Sequence, residues 1–217
     1  MFPATCRSIS RLLVPISGGV LLTLAVTGCG SSSSLGANAS PAASTPVSGA
    51  APAPPGAAPV ENNPPGDIPD NVAYVAYRNA AGHYGFSHPE GWARTEHGVA
   101  VTFTDKLNGI SATSVPASTA PTVSSAKATD VPKLASSQGA FQLISVTPAQ
   151  LPAGQGVLIV YRRNSAPDPV TGKVFRDEVQ RYEIFGAGHL VDLEMYGAVG
   201  SDNVDPFRKI SQSLTLA

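Results

Sequence analysis

Between Phe2 and Tyr74 the chain has no aromatic residue, and every other Phe, Tyr and Trp follows from Tyr74 onward. This asymmetry constrains the fold most, because aromatic side chains dominate core energetics and only one part of the chain has them. Gly30 to Asp70 carries nine prolines, and its body reads SSSSLGANASPAASTPVSGAAPAPPGAAP. A segment of that composition buries too little apolar surface to offset the entropy of ordering, so it is expected to be a disordered tether. Flexible-chain scaling gives it a root-mean-square reach of about 35–40 Å. Val72 to Ala217, about 150 residues, has the size of one domain with one core.

The first residues form a different kind of segment. Arg7 and Arg11 are the only charges before the apolar run Leu12 to Val26, which Pro15, Gly18 and Gly19 interrupt. A membrane-spanning helix needs about 20 apolar residues, and this run is shorter. A basic start, a short apolar centre and a small-residue exit are the parts of an export signal. The exit, Val26-Thr27-Gly28-Cys29, resembles the lipobox of bacterial lipoproteins. The resemblance implies that residues 1–28 are a lipoprotein signal peptide and that Cys29 becomes an acylated N-terminus. The rest then divides into a tether, 29–71, and a globular domain, 72–217. The alternatives are an ordinary secretory signal with a stray cysteine, or a signal anchor. Cys6 and Cys29 are the only cysteines. The first leaves with the signal and the second carries lipid, so neither a disulfide nor a thiolate nucleophile is expected. The expected location is the extracytoplasmic face of the cell membrane, with the lipid anchor as the membrane contact.

Charge narrows the partners. The domain has twelve Lys and Arg against twelve Asp and Glu, and Glu61, Asp67 and Asp70 bring the mature chain to −3. A nucleic-acid partner is not expected, since phosphate binding needs a basic face.

Along the domain, VAYVAYRN (72–79) is rich in strand formers, AAGH turns, and YGFSHP (84–89) resumes extended chain. VAVTFTD (99–105) alternates apolar and polar residues, KLNG turns, and 110–115 returns as a hairpin partner. SSAKATDVPKLASSQG suggests a helix broken or restarted near Pro132 with Asp130 as its cap. Residues 141–147 read as extended and LPAGQ as a loop. GVLIVYRRN (156–164) reads as a central strand covered on both faces. SAPDPVTGK makes a long turn before two strands, VFRDEVQRYEIF and HLVDLEMYG. The chain closes on a helix with Asp205 as N-cap, Pro206 at its first position, and Phe207, Ile210 and Leu214 on one face. About eight strands with short connections and two helices predict an α+β fold, an antiparallel sheet packed with helices.

The order of these elements, the segment YGFSHPEGW and the helix in DNVDPFRKISQSL resemble the PsbP-like fold, an α/β/α sandwich shared by actinobacterial lipoproteins including the LpqN group. FTDKLN, SAPDPVTGKV and VGSDNVDPFRKISQSL are similar to segments of uncharacterised actinobacterial lipoproteins. The resemblance spans roughly 72–214 and implies a fold. It supplies no catalytic residue, because such folds host unrelated roles.

The search for chemistry yields little. GISATS (109–114) lacks the second glycine of a nucleophile elbow and sits in an expected strand. VTGK (170–173) lacks the glycine cradle of a phosphate loop and reads as a turn. His83 and His88 lie five apart across an expected strand, and with His97 and His189 they read as solvated rather than as zinc ligands. Asp202, Asn203 and Asp205 bring three oxygen-bearing side chains to one turn, but the calcium-loop pattern is missing and capping accounts for Asp205. Asp177 with Glu178, and Asp192 with Glu194, invite a glycosidase reading. A solvated outer face, salt-bridged to Arg176 or Arg181, is the preferred one. No catalytic residue, metal ligand or cofactor is assigned. The expectation is a non-catalytic binding or interaction module of the cell envelope, with an envelope protein, glycan or lipid as partner. The alternatives are an accessory subunit of a transporter or envelope complex and, less favoured, an envelope hydrolase.

Overall fold

The computed structural model describes Gly56 and residues 66–217. Cys29 and almost all of the expected tether lie outside them. The described strands, in chain order, are β1 (Tyr74–Asn79), β2 (Tyr84–Pro89), β3 (Ala93–His97), β4 (Ala100–Asp105), β5 (Asn108–Pro116), β6 (Gln142–Leu151), β7 (Gly154–Asn164), β8 (Arg176–Gly186), β9 (His189–Ala198) and β10 (Thr215–Leu216). Between β5 and β6 the chain forms α1 (Val123–Ser125), a π-helical turn (Ala126–Asp130) and α2 (Val131–Ser137), and α3 (Val204–Gln212) precedes β10.

Seven strands form one sheet in the order β3-β4-β5-β9-β8-β7-β6, and β1-β2-β10 form a second. Every pairing is antiparallel. Strands consecutive in sequence supply all of these pairings except two: β5 with β9, which follows the long helical crossover, and β2 with β10, which brings the end of the chain back to the small sheet.

The period-two alternation decides what each face of the large sheet buries. Val101, Phe103, Ile110, Leu193 and Met195 point to one side, where they pack against Tyr77, Tyr84 and Phe86 of the small sheet and Phe207 and Ile210 of α3. Val157, Ile159, Tyr161 and Val179 point to the other, under Ala126 and Leu134 of the helical crossover. The protein is therefore an α+β fold, an antiparallel sheet with helical cover on both faces. Among the described residues no helix is long and apolar enough to cross a membrane.

Several local expectations need correction. Ten strands are described rather than about eight. β3, with sequence ARTEH, is exposed along its whole length and so carries no apolar alternation to reveal it. β6 runs through Pro148 to Leu151, which pairs with Gly154, so the expected loop is a tight turn. An edge strand tolerates a proline because one row of its N–H groups has no ladder partner to lose. β7 is buried on its helix side, while Leu158 and Val160 opposite remain half-exposed.

The crossover helix does not restart at a cap, since Asp130 makes no side-chain cap bond. Val131 N–H instead bonds to Ala126 O, and this wider turn carries the helix into Pro132, which lacks an N–H to continue an ordinary ladder. At α3 the capping position belongs to Asn203, not Asp205, and Asn203 makes no side-chain cap bond either. Its amide faces inward instead. Asn203 Oδ1 accepts from Ile68 N–H at 2.8 Å, and its Nδ2 donates to Gly66 O at 3.1 Å and to Asn108 Oδ1 at 3.0 Å. Asn108 Nδ2 donates to the same Gly66 carbonyl at 2.8 Å. The two asparagines thus hold residues 66–68 down, and Ile68 joins the core at 4% exposure. The packed region begins before the expected boundary at Val72.

Candidate functional site

The register of β7, β8 and β9 sets an unusual charge cluster on the helix side of the sheet. Arg163 stands opposite Asp177, Arg181 opposite Glu194, and Glu183 opposite Asp192. Arg163 Nη1 donates to Glu194 Oε1 at 2.9 Å, and its Nε lies 3.7 Å from Asp177 Oδ2. Arg181 donates to Glu183 Oε1 at 3.0 Å and to Asp192, and lies 3.6 Å from Glu194 Oε2. Tyr161 OH donates to that same Glu194 oxygen at 2.8 Å. Asp177, Glu183 and Glu194 are buried. The expected solvated outer face is therefore a largely buried network, with the expected Arg181 pairing present. Arg176 instead donates to Ala140 O at 2.6 Å, away from the cluster.

Two guanidinium groups face four carboxylates, and burial is the main influence on how Asp177, Glu183 and Asp192 hold their protons. Burial pushes the Asp177 carboxyl up to about 6, although Arg163 and Arg176 pull it back down. Burial likewise raises Glu183 and Asp192 against the pull of Arg181. Burial works against charge on Arg181, but Asp192, Glu183 and Glu194 outweigh it and hold its proton more firmly than usual. Tyr161 is raised by burial and by the neighbouring Glu194 charge.

One end of this network opens into a cleft of about 460 Å³ lined by Lys106, Gln138, Arg163, Asn164, Asp177 and Tyr196. The Arg163 guanidinium sits 4.8 Å above the Tyr196 ring. That ring is placed by a glycine, because a Cβ at Gly109 on the neighbouring strand would collide with it. The loop between β7 and β8 forms the far wall and is organised by Asp168. Its Oδ1 accepts from Val170 N–H at 3.1 Å, Thr171 N–H at 2.7 Å and Thr171 Oγ1 at 2.8 Å. Those bonds hold the Asp168 carboxyl below its ordinary range. Lys106 takes a left-handed backbone, φ 50°, at the tip of the β4–β5 hairpin. It also lines a second cleft with Ile68, Val72 and Trp92.

The other sequence candidates do not converge on a site. Asp205 pairs with Arg208 at 2.7 Å, Asn203 faces the interior, and Asp202 N–H donates to Asp67 Oδ1 at 3.0 Å. His83 stacks on His189 with ring centroids 4.5 Å apart. His88 is not solvated as expected. It stacks on Phe103 at 3.8 Å, and its Nδ1 lies 2.8 Å from Pro89 O. Among the described residues no group of three or more His, Cys, Asp or Glu is arranged to hold a metal ion. In GISATS, Ser114 Oγ is occupied with Gly82 O at 2.6 Å. Sequence reasoning missed Arg163, Tyr161 and Tyr196. Their spacing by two along β7 and β9 signals a common face, but only the strand order shows that the faces adjoin.

No protein-family profile matches the chain, and no curated protein matches it in sequence. Among solved structures it is similar to cyanobacterial PsbP (CyanoP) from Synechocystis, with a TM-score of 0.47 and 17% identity over 67% of this chain and 94% of that one. It is also similar to the Saccharomyces cerevisiae Ran-binding protein Mog1p, with a TM-score of 0.45 and 6% identity over 67% of this chain and 96% of that one. At these values the overlaps assign neither a family nor an activity to this chain.

Proposed function

We propose that this chain is a lipid-anchored, extracytoplasmic binding module of the cell envelope, and that the Arg163–Asp177–Tyr196 cleft is its recognition surface. The observation that supports it is the cleft floor, where charged groups are fixed in mutual ion pairs beneath polar side chains open to a ligand. Such preorganised concave sites take up a ligand without paying to order their own side chains. The ligand is a protein, glycan or lipid of the envelope. An accessory role in a transporter or other envelope complex would use the same surface on a stable protein partner.

Photo-crosslinking in intact cells tests this, with the probe at Lys106 or Asn164 and a control probe at the exposed Lys127. Specific capture from the two cleft positions, reduced by Tyr196→Ala, is the expected result. Capture no greater than at Lys127 would overturn the reading. The anchor is tested separately, since Cys29→Ala is expected to release the protein from the membrane fraction or stall its processing.

One observation favours a second reading. Asp177 and Asp168 line the same cleft with pKa values pushed apart, as in a glycosidase acid–base pair. Hydrolysis of aryl glycosides by the wild type and its loss in Asp177→Asn would establish an enzyme.

A further inference from the structure

We infer that the exposed edge strand β3 pairs with β3 of a second copy of this chain, antiparallel about a two-fold axis at Thr95. The large sheet has two edges, β3 and β6. β6 carries Pro148 and a register break between Leu143 and Ser145, two devices that guard an edge against a further strand. β3 has neither, and all five of its residues, ARTEH, are exposed. Among the described residues nothing pairs with its outer side.

The hairpin decides which backbone groups are free. Gly98, at φ 59°, and Val99 form a two-residue turn between His97 and Ala100. The pair flanking such a turn exchanges backbone bonds, and bonded pairs then alternate along the ladder. His97, Thr95 and Ala93 therefore bond to β4, and the N–H and C=O groups of Arg94 and Glu96 point outward.

A second copy fits this edge, and its charges choose the register. With Thr95 on the axis, Arg94 stands opposite Glu96 of the second copy, and Glu96 opposite its Arg94. Opposite charges directly across a ladder are favourable, and like charges are unfavourable. A slip by two residues would set Arg94 against Arg94, or Glu96 against Glu96. A slip by one would face outward groups with groups already bonded to β4. The Arg94 guanidinium stands 5.9 Å from the Tyr77 ring centroid, which restrains the side chain before pairing and lowers the entropy lost on association. Beyond the five residues, the same register brings the exposed Val99 toward the partly buried Trp92 of the second copy.

Such a contact is isologous and closed, so it makes dimers rather than fibres. A five-residue edge buries less than the roughly 1,200–2,000 Å² of a stable interface, so the dimer is weak and concentration-dependent. It joins two large sheets into one continuous sheet, with β7 and β8 of each copy toward the outer ends. Both Arg163 clefts stay open, and two linked clefts engage a repetitive ligand more tightly than one.

The test uses the mature chain, residues 29–217, with Cys29→Ser, so that neither lipid nor a native thiol contributes to association. Sedimentation equilibrium from micromolar to millimolar concentration is expected to show monomer and dimer in exchange. Arg94→Glu or Glu96→Arg alone should weaken the dimer about tenfold, and the two together should restore it. Thr95→Cys places two thiols at the axis, where facing residues of a non-hydrogen-bonded pair stand about 4.5 Å apart, within disulfide reach. In oxidised glutathione it should form a linked dimer much faster than Ser136→Cys, an exposed position on α2. A chain that stays monomeric to millimolar concentration would overturn the inference. So would single charge variants that dimerise like the parent, a double variant as weak as either single one, or equal linking rates for the two cysteines.

Discussion

Arg163 carries more of the site than any other side chain, because it bridges Glu194 and Asp177 and covers the Tyr196 ring. Replacing it with alanine leaves Asp177 in poorly hydrated surroundings without its ion-pair partner, and leaves Glu194 with Arg181 as its remaining cation. Removing one partner of a buried pair costs about 3–5 kcal/mol, whereas an exposed pair contributes about 0–1. Arg162 is the natural comparison, since it pairs with Glu178 at 2.9 Å at the surface. Urea unfolding is expected to show a large loss of stability for Arg163→Ala and little change for Arg162→Ala. Equal losses would mean that the network adds nothing beyond a surface pair. Asp177 makes the pH prediction. Its folded pKa of about 6 lies above the ordinary 3.8. Between these values the folded state binds more protons than the unfolded one, so stability falls as pH rises through that window. Glu183 and Asp192 are raised too and act with the same sign. The depressed Asp168 loses its contribution only as pH falls below the ordinary carboxylate range, outside the interval that matters here. His88, lowered from its ordinary value by burial, acts with the opposite sign in the same window, so the wild-type midpoint alone does not isolate Asp177. The change in urea midpoint from pH 7 to pH 5 is expected to be more favourable in the wild type than in Asp177→Asn, and an identical change in the two would contradict the assignment.

Helix α3 shows how an element gains stability from the face it buries. Phe207 is 5% exposed, Ile210 0%, and Leu214 just beyond the helix 1%. Their spacing of three and four places all three against the sheet. Phe207→Ala is expected to cost about 3–5 kcal/mol, the range for removing a buried aromatic ring. His97→Ala, at an exposed strand end, should be close to neutral in the same thermal unfolding series. His88→Ala should fall between them at about 1 kcal/mol, because its ring stacks on Phe103. A neutral Phe207→Ala would mean that α3 does not seal the first core. Strand β5 provides the matching test for the cleft. Gly109→Ala needs the Tyr196 ring to move. It should therefore weaken capture at Lys106 and Asn164 while the protein still unfolds cooperatively.

Across the whole molecule, the packed region extends back to Gly66. Two asparagines from distant parts of the chain, Asn108 and Asn203, converge on that residue's carbonyl, and Ile68 fills the core beneath. A protein cut to residues 72–217 loses Ile68 and leaves both amides short of a partner. It is expected to melt lower than one beginning at Gly66. Identical melting temperatures would show that the strap contributes no stability.

The amino-acid sequence by itself determined where apolar material is concentrated and how it alternates. From that follow the strands β4, β5, β8 and β9, the helical crossover and α3, since periodicity is a local property of neighbouring residues. It also contains VTGC at the end of an apolar run, the whole basis for expecting an anchor at Cys29. The tertiary structure alone decided what lies beside what. Asp192 and Glu194 read as a polar strand face, and solvent is the ordinary neighbour of such a face. They became a buried network because β7 and β8 bring Arg163 and Arg181 alongside and the crossover helices cover the sheet. β3 was hidden for the opposite reason, since a strand exposed along its length has no burial to impose a pattern. Asn203 looked like part of a capping turn until the fold brought Gly66 to it. Ion pairs, cover and clefts arise between segments far apart in sequence, and a local pattern carries no record of that distance.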